Sequence, residues 1–431
     1  MTDPASIVRV VAGLLALALA ARAGGWVFGR LTLPRVVGEI CGGLLLGPTV
    51  LGAVLPDAKD WLFGAPGAGK ALTAVSWLGL VLLLFVSGFE MKGGFSRDDR
   101  RIVGIVLAGA TIVPFAAGVA AAAVFDFSPF QGERGNSTSL VIVIGIAVAV
   151  TSIPVISRIF LDLGILDTRF ARLVLAIAGV EDVALWVALA VATGLAGAAA
   201  PTALELVATP AVTVAFCAAG LLLLPRSLRA VAAGRRAGPL VRRAPLPAIA
   251  VLAVGAGALA NAVGVNVIFG AFLAGIAVGT LPGPEVGAAR VRLKSAAVAL
   301  LTPMYFGAVG LKLDLLHRFD PLFFLGFFVF CTVVKTAATL VAGQLALRDW
   351  RSTANLAVAL NARGGPGIVL ATVAYGLQII DERFFVTLVL TAIVTSLMAG
   401  WWFRLVVARG WYLLRVGAPG PARHRVPAGT E

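Results

Sequence analysis

Apolar residues run along this chain in blocks of about twenty, separated by short clusters of charge, proline and glycine. A bilayer core takes roughly 20 apolar residues as helix, about 17 at the short end. On that measure the pattern predicts thirteen membrane-spanning helices. They lie at about 6–29, 34–55, 71–91, 102–125, 139–162, 170–196, 202–224, 246–263, 265–281, 295–314, 321–347, 353–377 and 384–409. The first block carries Ala18, Ala20 and Ala21, which resemble a signal-peptide cleavage site. Its leader holds only Asp3 and Arg9, and its apolar stretch is long, so it reads as a retained span. Every polar stretch is under about 25 residues, too short for a soluble domain.

Composition agrees with an all-α polytopic membrane protein. Of 431 residues, 60% are hydrophobic and 13% are charged, with a mean hydropathy of +0.99. Soluble domains are about 45–50% apolar and about 25% charged. A cytosolic enzyme, a secreted disulfide scaffold and a disordered chain are excluded. Cys41, Cys217 and Cys331 stand far apart in apolar runs and read as buried hydrophobes. With two histidines, His317 and His424, no His-rich metal site is expected, and no motif calls for a cofactor.

The net charge of +14 changes the picture once it is sorted by side. Cytoplasmic loops carry the Lys/Arg excess. With thirteen spans, 26 positive residues fall on one side and 7 on the other. This predicts an outside N-terminus, a cytoplasmic C-terminus and residence in a cell (inner) membrane. Residues 1–416 form the transmembrane unit and 417–431 a short cytoplasmic tail. The basic balance is a topology signal, so no nucleic-acid partner is expected; the partner is the lipid bilayer.

The chain also repeats itself. Gly38-Glu39-Ile40-Cys41-Gly42 in span two resembles Gly270-Ala271-Phe272-Leu273-Ala274-Gly275 in span nine. The end of span three around Phe85-Val86-Ser87-Gly88 resembles the end of span ten around Phe306-Gly307-Ala308-Val309-Gly310. Span five is interrupted at Thr151-Ser152-Ile153-Pro154, and span twelve at Arg363-Gly364-Gly365-Pro366-Gly367. Each match is seven spans apart. Spans 1–6 and 8–13 are therefore two inverted six-helix repeats, with span seven as linker. Inverted repeats with broken helices in matching places mark secondary transporters. Freed backbone groups in a membrane survive only inside protein or beside a cavity, so the breaks should cross near the midplane.

Charge at that depth is scarce. Of 21 acids, only Glu181 and Asp182 lie mid-span; of 35 Lys and Arg, only Lys335 and Arg363 do. Intramembrane ionisable residues cost at least ~2.5–3.5 kcal/mol and are functional by default. Adjacent helical residues point about 100° apart. Asp182 is thus the expected binding carboxylate for a proton or a transported metal cation (Na+ or K+), and Glu181 the partner of Lys335. A purely structural Glu181–Lys335 pair is the competing reading. Burial penalises charged forms, so proton release and cation capture can compete here. Arg363 could offset a half-helix C-terminus or act in transport. Thr151, Ser152 and Asn361 could be ion ligands or could satisfy freed backbone. Glu39 and Glu90 read as packing or gating residues.

These residues resemble the monovalent cation:proton antiporter-2 family, the Kef-like branch of the sodium/hydrogen exchanger superfamily. The likeness runs from about Leu33 to Gly400. It is carried by Leu33-Pro34-Arg35-Val36-Val37-Gly38-Glu39-Ile40, Gly47-Pro48-Thr49-Val50-Leu51-Gly52 and Leu84-Phe85-Val86-Ser87-Gly88-Phe89-Glu90. It continues through Ala149-Val150-Thr151-Ser152-Ile153-Pro154, Glu181-Asp182, Asn361-Ala362-Arg363-Gly364 and Ile380-Asp381-Glu382-Arg383-Phe384. The resemblance implies the sodium/proton antiporter fold. Its core domain would span about 102–196 and 321–409, and its dimerising scaffold about 6–91 and 202–314. It also implies a homodimer, elevator-type alternating access, Asp182 as ion carrier and electrogenic exchange of a monovalent cation for protons, in the service of pH homeostasis. Many members carry a glutamate shortly after the arginine of the second break, where this chain has Gly365, Pro366 and Gly367. Many also continue into a nucleotide-binding regulatory domain, which is not expected here. The alternative function is a proton-coupled exporter of an organic small molecule on the same fold.

Overall fold

The computed structural model describes residues 3–31, 33–90, 99–196, 203–233 and 243–415. The predicted tail at 417–431 lies outside the described residues, as do seven of the sorted cations: Lys92, Arg97, Arg235, Arg236, Arg242, Arg423 and Arg425. The first repeat comprises α1 (Pro4–Arg30), α2 (Arg35–Leu46), α3 (Ala68–Glu90) and α4 (Arg100–Val124). It is completed by α5 (Ser137–Ala149), α6 (Ile153–Asp162) and α7 (Arg169–Leu195). Helix α8 (Ala203–Leu222) links it to the second repeat. That repeat holds α9 (Pro245–Ala262), α10 (Val267–Gly279), α11 (Pro284–Leu311), α12 (Pro321–Leu347), α13 (Trp350–Leu360), α14 (Gly364–Gly376) and α15 (Glu382–Ala408). Each of the thirteen predicted spans coincides with one of these helices or with a broken pair.

Local chemistry sets the helix starts. Asn136 and Ser139 form a reciprocal capping box at α5, while Thr168, Asp320, Asp349 and Asp381 cap α7, α12, α13 and α15. Two spans carry a wide π turn, Ala108–Ile112 in α4 and Ala297–Leu301 in α11. Each turn ends two residues before a proline, Pro114 and Pro303. A proline cannot donate to the carbonyl four residues back and its ring crowds that carbonyl; a one-residue widening relieves both. Helix α11 begins at Pro284, about eleven residues before the predicted span, because its first turns carry Arg290, Arg292 and Lys294 and show no apolar run.

The repeats pack as inverted copies. Helix α2 lies on α1 through Gly38, where an added Cβ would come within 2.2 Å of Gly24 O; α10 lies on α9 through Gly270, with Ala256 O at 2.3 Å. Helix α2 also crosses α11, and α10 crosses α3, which is the same pair seen from the other repeat. At the first of these crossings a Cβ on Gly43 would stand 1.8 Å from Gly307 O. We expect Gly43→Ala to lower stability by about 1–3 kcal/mol through forced separation of the helices. Thermal unfolding of the detergent-solubilised protein checks this, and an unchanged melting temperature would refute it. Span twelve, α13 plus α14, is the most enclosed, with 89% of its apolar window buried. Outer faces such as those of α1 and α9 expose Leu15, Leu19, Val251 and Val254, as a lipid-facing surface requires.

Candidate functional site

The two interruptions, at 150–152 and 361–363, meet in the middle of this bundle. Ser152 N donates to Ala362 O at 2.6 Å, and Thr151 Oγ1 donates to Leu360 O at 2.6 Å. The Ser152 hydroxyl then accepts from Val155 N at 3.4 Å and from Gly365 N at 3.2 Å. One side chain thus caps the half-helices α6 and α14 together, meeting two of the orphan donors that every helix start presents. Gly364 makes the approach possible: its φ is +27°, and a Cβ there would lie 2.6 Å from Ser152 Oγ and 2.3 Å from a Val155 methyl. The second break is thus narrower than the Gly-Gly-Pro-Gly pattern predicts. Gly364 to Gly367 already form the first turn of α14, where proline is tolerated because its missing N–H has no partner to lose.

The opposite ends of the half-helices carry partial negative charge. At α5, Arg363 Nε donates to Ala147 O at 3.2 Å, Arg363 Nη2 to Val148 O at 3.1 Å, and Lys335 Nζ to Ala149 O. The remaining guanidinium donors go to Cys331 O at 2.9 Å, Asn361 O at 3.2 Å and Asn361 Oδ1. Asn361 is held in turn by donating to Thr336 Oγ1 at 3.1 Å. Arg363, 2% exposed, is therefore satisfied by neutral oxygens alone.

On α7, Glu181 and Asp182 take different surroundings. Glu181 is fully buried and accepts from Lys335 Nζ at 2.9 Å and 3.0 Å through its two oxygens. Thr111 Oγ1 donates to Glu181 Oε2 at 3.0 Å. With Ala149 O, the three N–H bonds of Lys335 have three acceptors, so this ammonium has no donor left for Asp182. Asp182 is 7% exposed, and its buried Oδ1 has no hydrogen-bond partner among the described residues. A buried polar oxygen without a partner is costly unless something else visits it.

Comparison with known proteins decides the family. A family model described as "Sodium/hydrogen exchanger, transmembrane" matches residues 15–409. The chain belongs to that family. Among curated exchanger relatives, Cation/H(+) antiporter 18 of Arabidopsis thaliana is 28% identical over 84% of this chain and 44% of its own length. The chain thus spans less than half the length of the plant antiporters it matches. Na(+)/H(+) antiporter NhaS4 of Synechocystis is 25% identical over 92% of this chain and 96% of its own. K(+)/H(+) antiporter 1 of Saccharomyces cerevisiae is 27% identical over 86% of this chain and 43% of its own. The structure of the sodium proton antiporter MjNhaP1 from Methanocaldococcus jannaschii superposes with a TM-score of 0.62 at 13% identity. It covers 94% of this chain and 99% of that one, which establishes the exchanger fold.

Within this exchanger fold the sequence candidates divide. Thr151, Ser152, Asn361 and Arg363 make up the crossing, and Glu181, Asp182 and Lys335 stand against it. Thr151 spends its hydrogen on Leu360 O, and its oxygen lone pairs stay available to a cation. Glu39 is elsewhere: it sits on α2 over Gly25 of α1, with Arg22 and Arg35 as the charges nearest it. Thr111, Thr336 and Thr395, the last accepting from Arg363 N at 3.3 Å, also join the site and carry no sequence signal of their own. For Thr111 a clue existed in Pro114, which marks a local distortion of span four.

Proposed function

We propose that this exchanger-family protein moves a monovalent cation, Na+ or K+, against protons, with Asp182 carrying either one. The observation that carries the reading is the state of the four charges at the crossing. Glu181 and Lys335 occupy each other, Arg363 is saturated by carbonyl and amide oxygens, and of these four only Asp182 keeps a buried oxygen without a hydrogen-bond partner among the described residues. A proton or a dehydrated cation neutralises that carboxylate, and the two exclude each other, which couples their fluxes. In this reading the core (about 102–196 and 321–409) carries the site past the scaffold (about 6–91 and 202–314), and an empty charged site stays in place. Assembly as a homodimer through the scaffold, residence in a cell membrane, an outside N-terminus and a cytoplasmic C-terminus belong to the same proposal, the orientation being supported by the asymmetry of positive charge.

Relatives bear Na+/H+ and K+/H+ names, so both ions belong in the test. Solid-supported-membrane electrophysiology on proteoliposomes, with jumps of each ion, reads substrate and electrogenicity together. A transient current or a matching pH change with sodium or potassium is expected. Silence with both, in vesicles shown to hold folded protein, would overturn the cation reading.

A further inference from the structure

Thr111 on α4 hydrogen-bonds the buried ion pair, and the local backbone is built to bring it there. It lies in the π turn Ala108–Ile112, 8% exposed, with Oγ1 3.0 Å from Glu181 Oε2. π turns insert one residue into a helix, re-aim the side chains beside them and recur at functional sites. In this span the insertion accompanies Pro114, so the direction of Thr111 is written into the sequence three residues away. Helix α4 packs along α12, where a Cβ on Gly109 would meet the Ala342 methyl at 2.4 Å. That close approach leaves little play in where the turn sits.

We infer that Thr111 is a positioning residue of the exchange site. Its hydroxyl holds the Glu181 carboxylate toward Lys335, which keeps that ammonium occupied and leaves Asp182 without a cationic partner of its own. The donor count supports this. Glu181 Oε2 receives Lys335 and Thr111 together, while Oε1 receives Lys335 alone. The charged groups around the pair are Lys335 from α12, Asp182 beside it on α7, and Arg363, which acts on Lys335. The π turn itself contributes no ionisable residue. A hydrogen bond to a carboxylate is stronger than one between neutral groups, so the Thr111 hydroxyl restricts where the Glu181 oxygens can lie. Without it the carboxylate can turn, and Lys335 gains the freedom to reach toward Asp182 and compete with the cation.

This inference rests on the proposed exchange at Asp182, and its test separates the two. Thr111→Val keeps the shape and removes the hydroxyl; Thr111→Ser keeps the hydroxyl and removes a methyl. With exchange measured in proteoliposomes, Thr111→Val should raise the KM for the cation about tenfold with kcat near wild type. Thr111→Ser should keep the wild-type KM. The reverse ranking, Val like wild type and Ser impaired, would reduce Thr111 to packing and overturn the inference. Melting temperature is measured without transport on Thr111→Val in the wild-type background and in the Glu181→Gln, Lys335→Met background. A Val deficit that shrinks by at least half in the second background supports the inference, and an equal deficit in both contradicts it. A wild-type protein that moves neither ion sinks the exchange reading and leaves this second measurement to judge Thr111.

Discussion

Asp182→Asn should abolish cation-driven pH change in proteoliposomes while leaving the protein folded. Asparagine keeps the size of the side chain and places a neutral amide at the crossing. It can neither lose a proton to a gradient nor neutralise a cation. Glu181 is unable to take over, because both of its oxygens are engaged by Lys335 and one also by Thr111. In the wild type, mutual exclusion at one carboxylate should raise the apparent KM for the cation about tenfold per pH unit once protons dominate the site. A fluorescence-dequenching assay with sodium and potassium at several pH values reads both effects. Exchange by Asp182→Asn at the normal rate would remove Asp182 from the mechanism.

The second large effect is on stability. Lys335→Ala should cost about 3–5 kcal/mol, because it strands the fully buried Glu181 carboxylate and leaves Ala149 O without its donor. Glu181→Gln should be milder, since an amide still offers an oxygen to Lys335. The double substitution Glu181→Gln, Lys335→Met removes both charges and should recover most of the loss, as replacement of a buried pair by uncharged groups does elsewhere. Thermal unfolding of the three variants in one detergent gives the comparison. If Lys335→Ala and the double variant melt alike, the pair is not what holds α7 to α12.

Legibility from sequence followed physical length scale. The spans were readable because lipid imposes a block of apolar residues on each. The repeat was readable because glycine is demanded wherever two backbones meet, and both copies meet at Gly38 and Gly270. Glu181, Asp182, Lys335 and Arg363 were readable because mid-span charge is expensive and therefore sparse. Threonine carries no such penalty. Thr111, Thr336 and Thr395 look like any membrane threonine until the π turn brings the first to the Glu181 carboxylate and the second break brings the Asn361 amide and the Arg363 backbone N–H to the other two. The second break was read too wide for a related reason: glycine and proline signal interruption, yet both fit the first turn of a helix, as they do at Gly364–Gly367.

Ser152 and Gly364 occupy corresponding places in the two repeats, each two residues before a proline. One now supplies a hydroxyl to both half-helices, and the other has given up its side chain to make room for it. A chain assembled from two copies of its own first half would force two serine side chains into the space of one. A chain made of two second halves would have no cap at all. The two halves still match helix for helix, but at this pair of positions they are complements, and neither could stand in for the other.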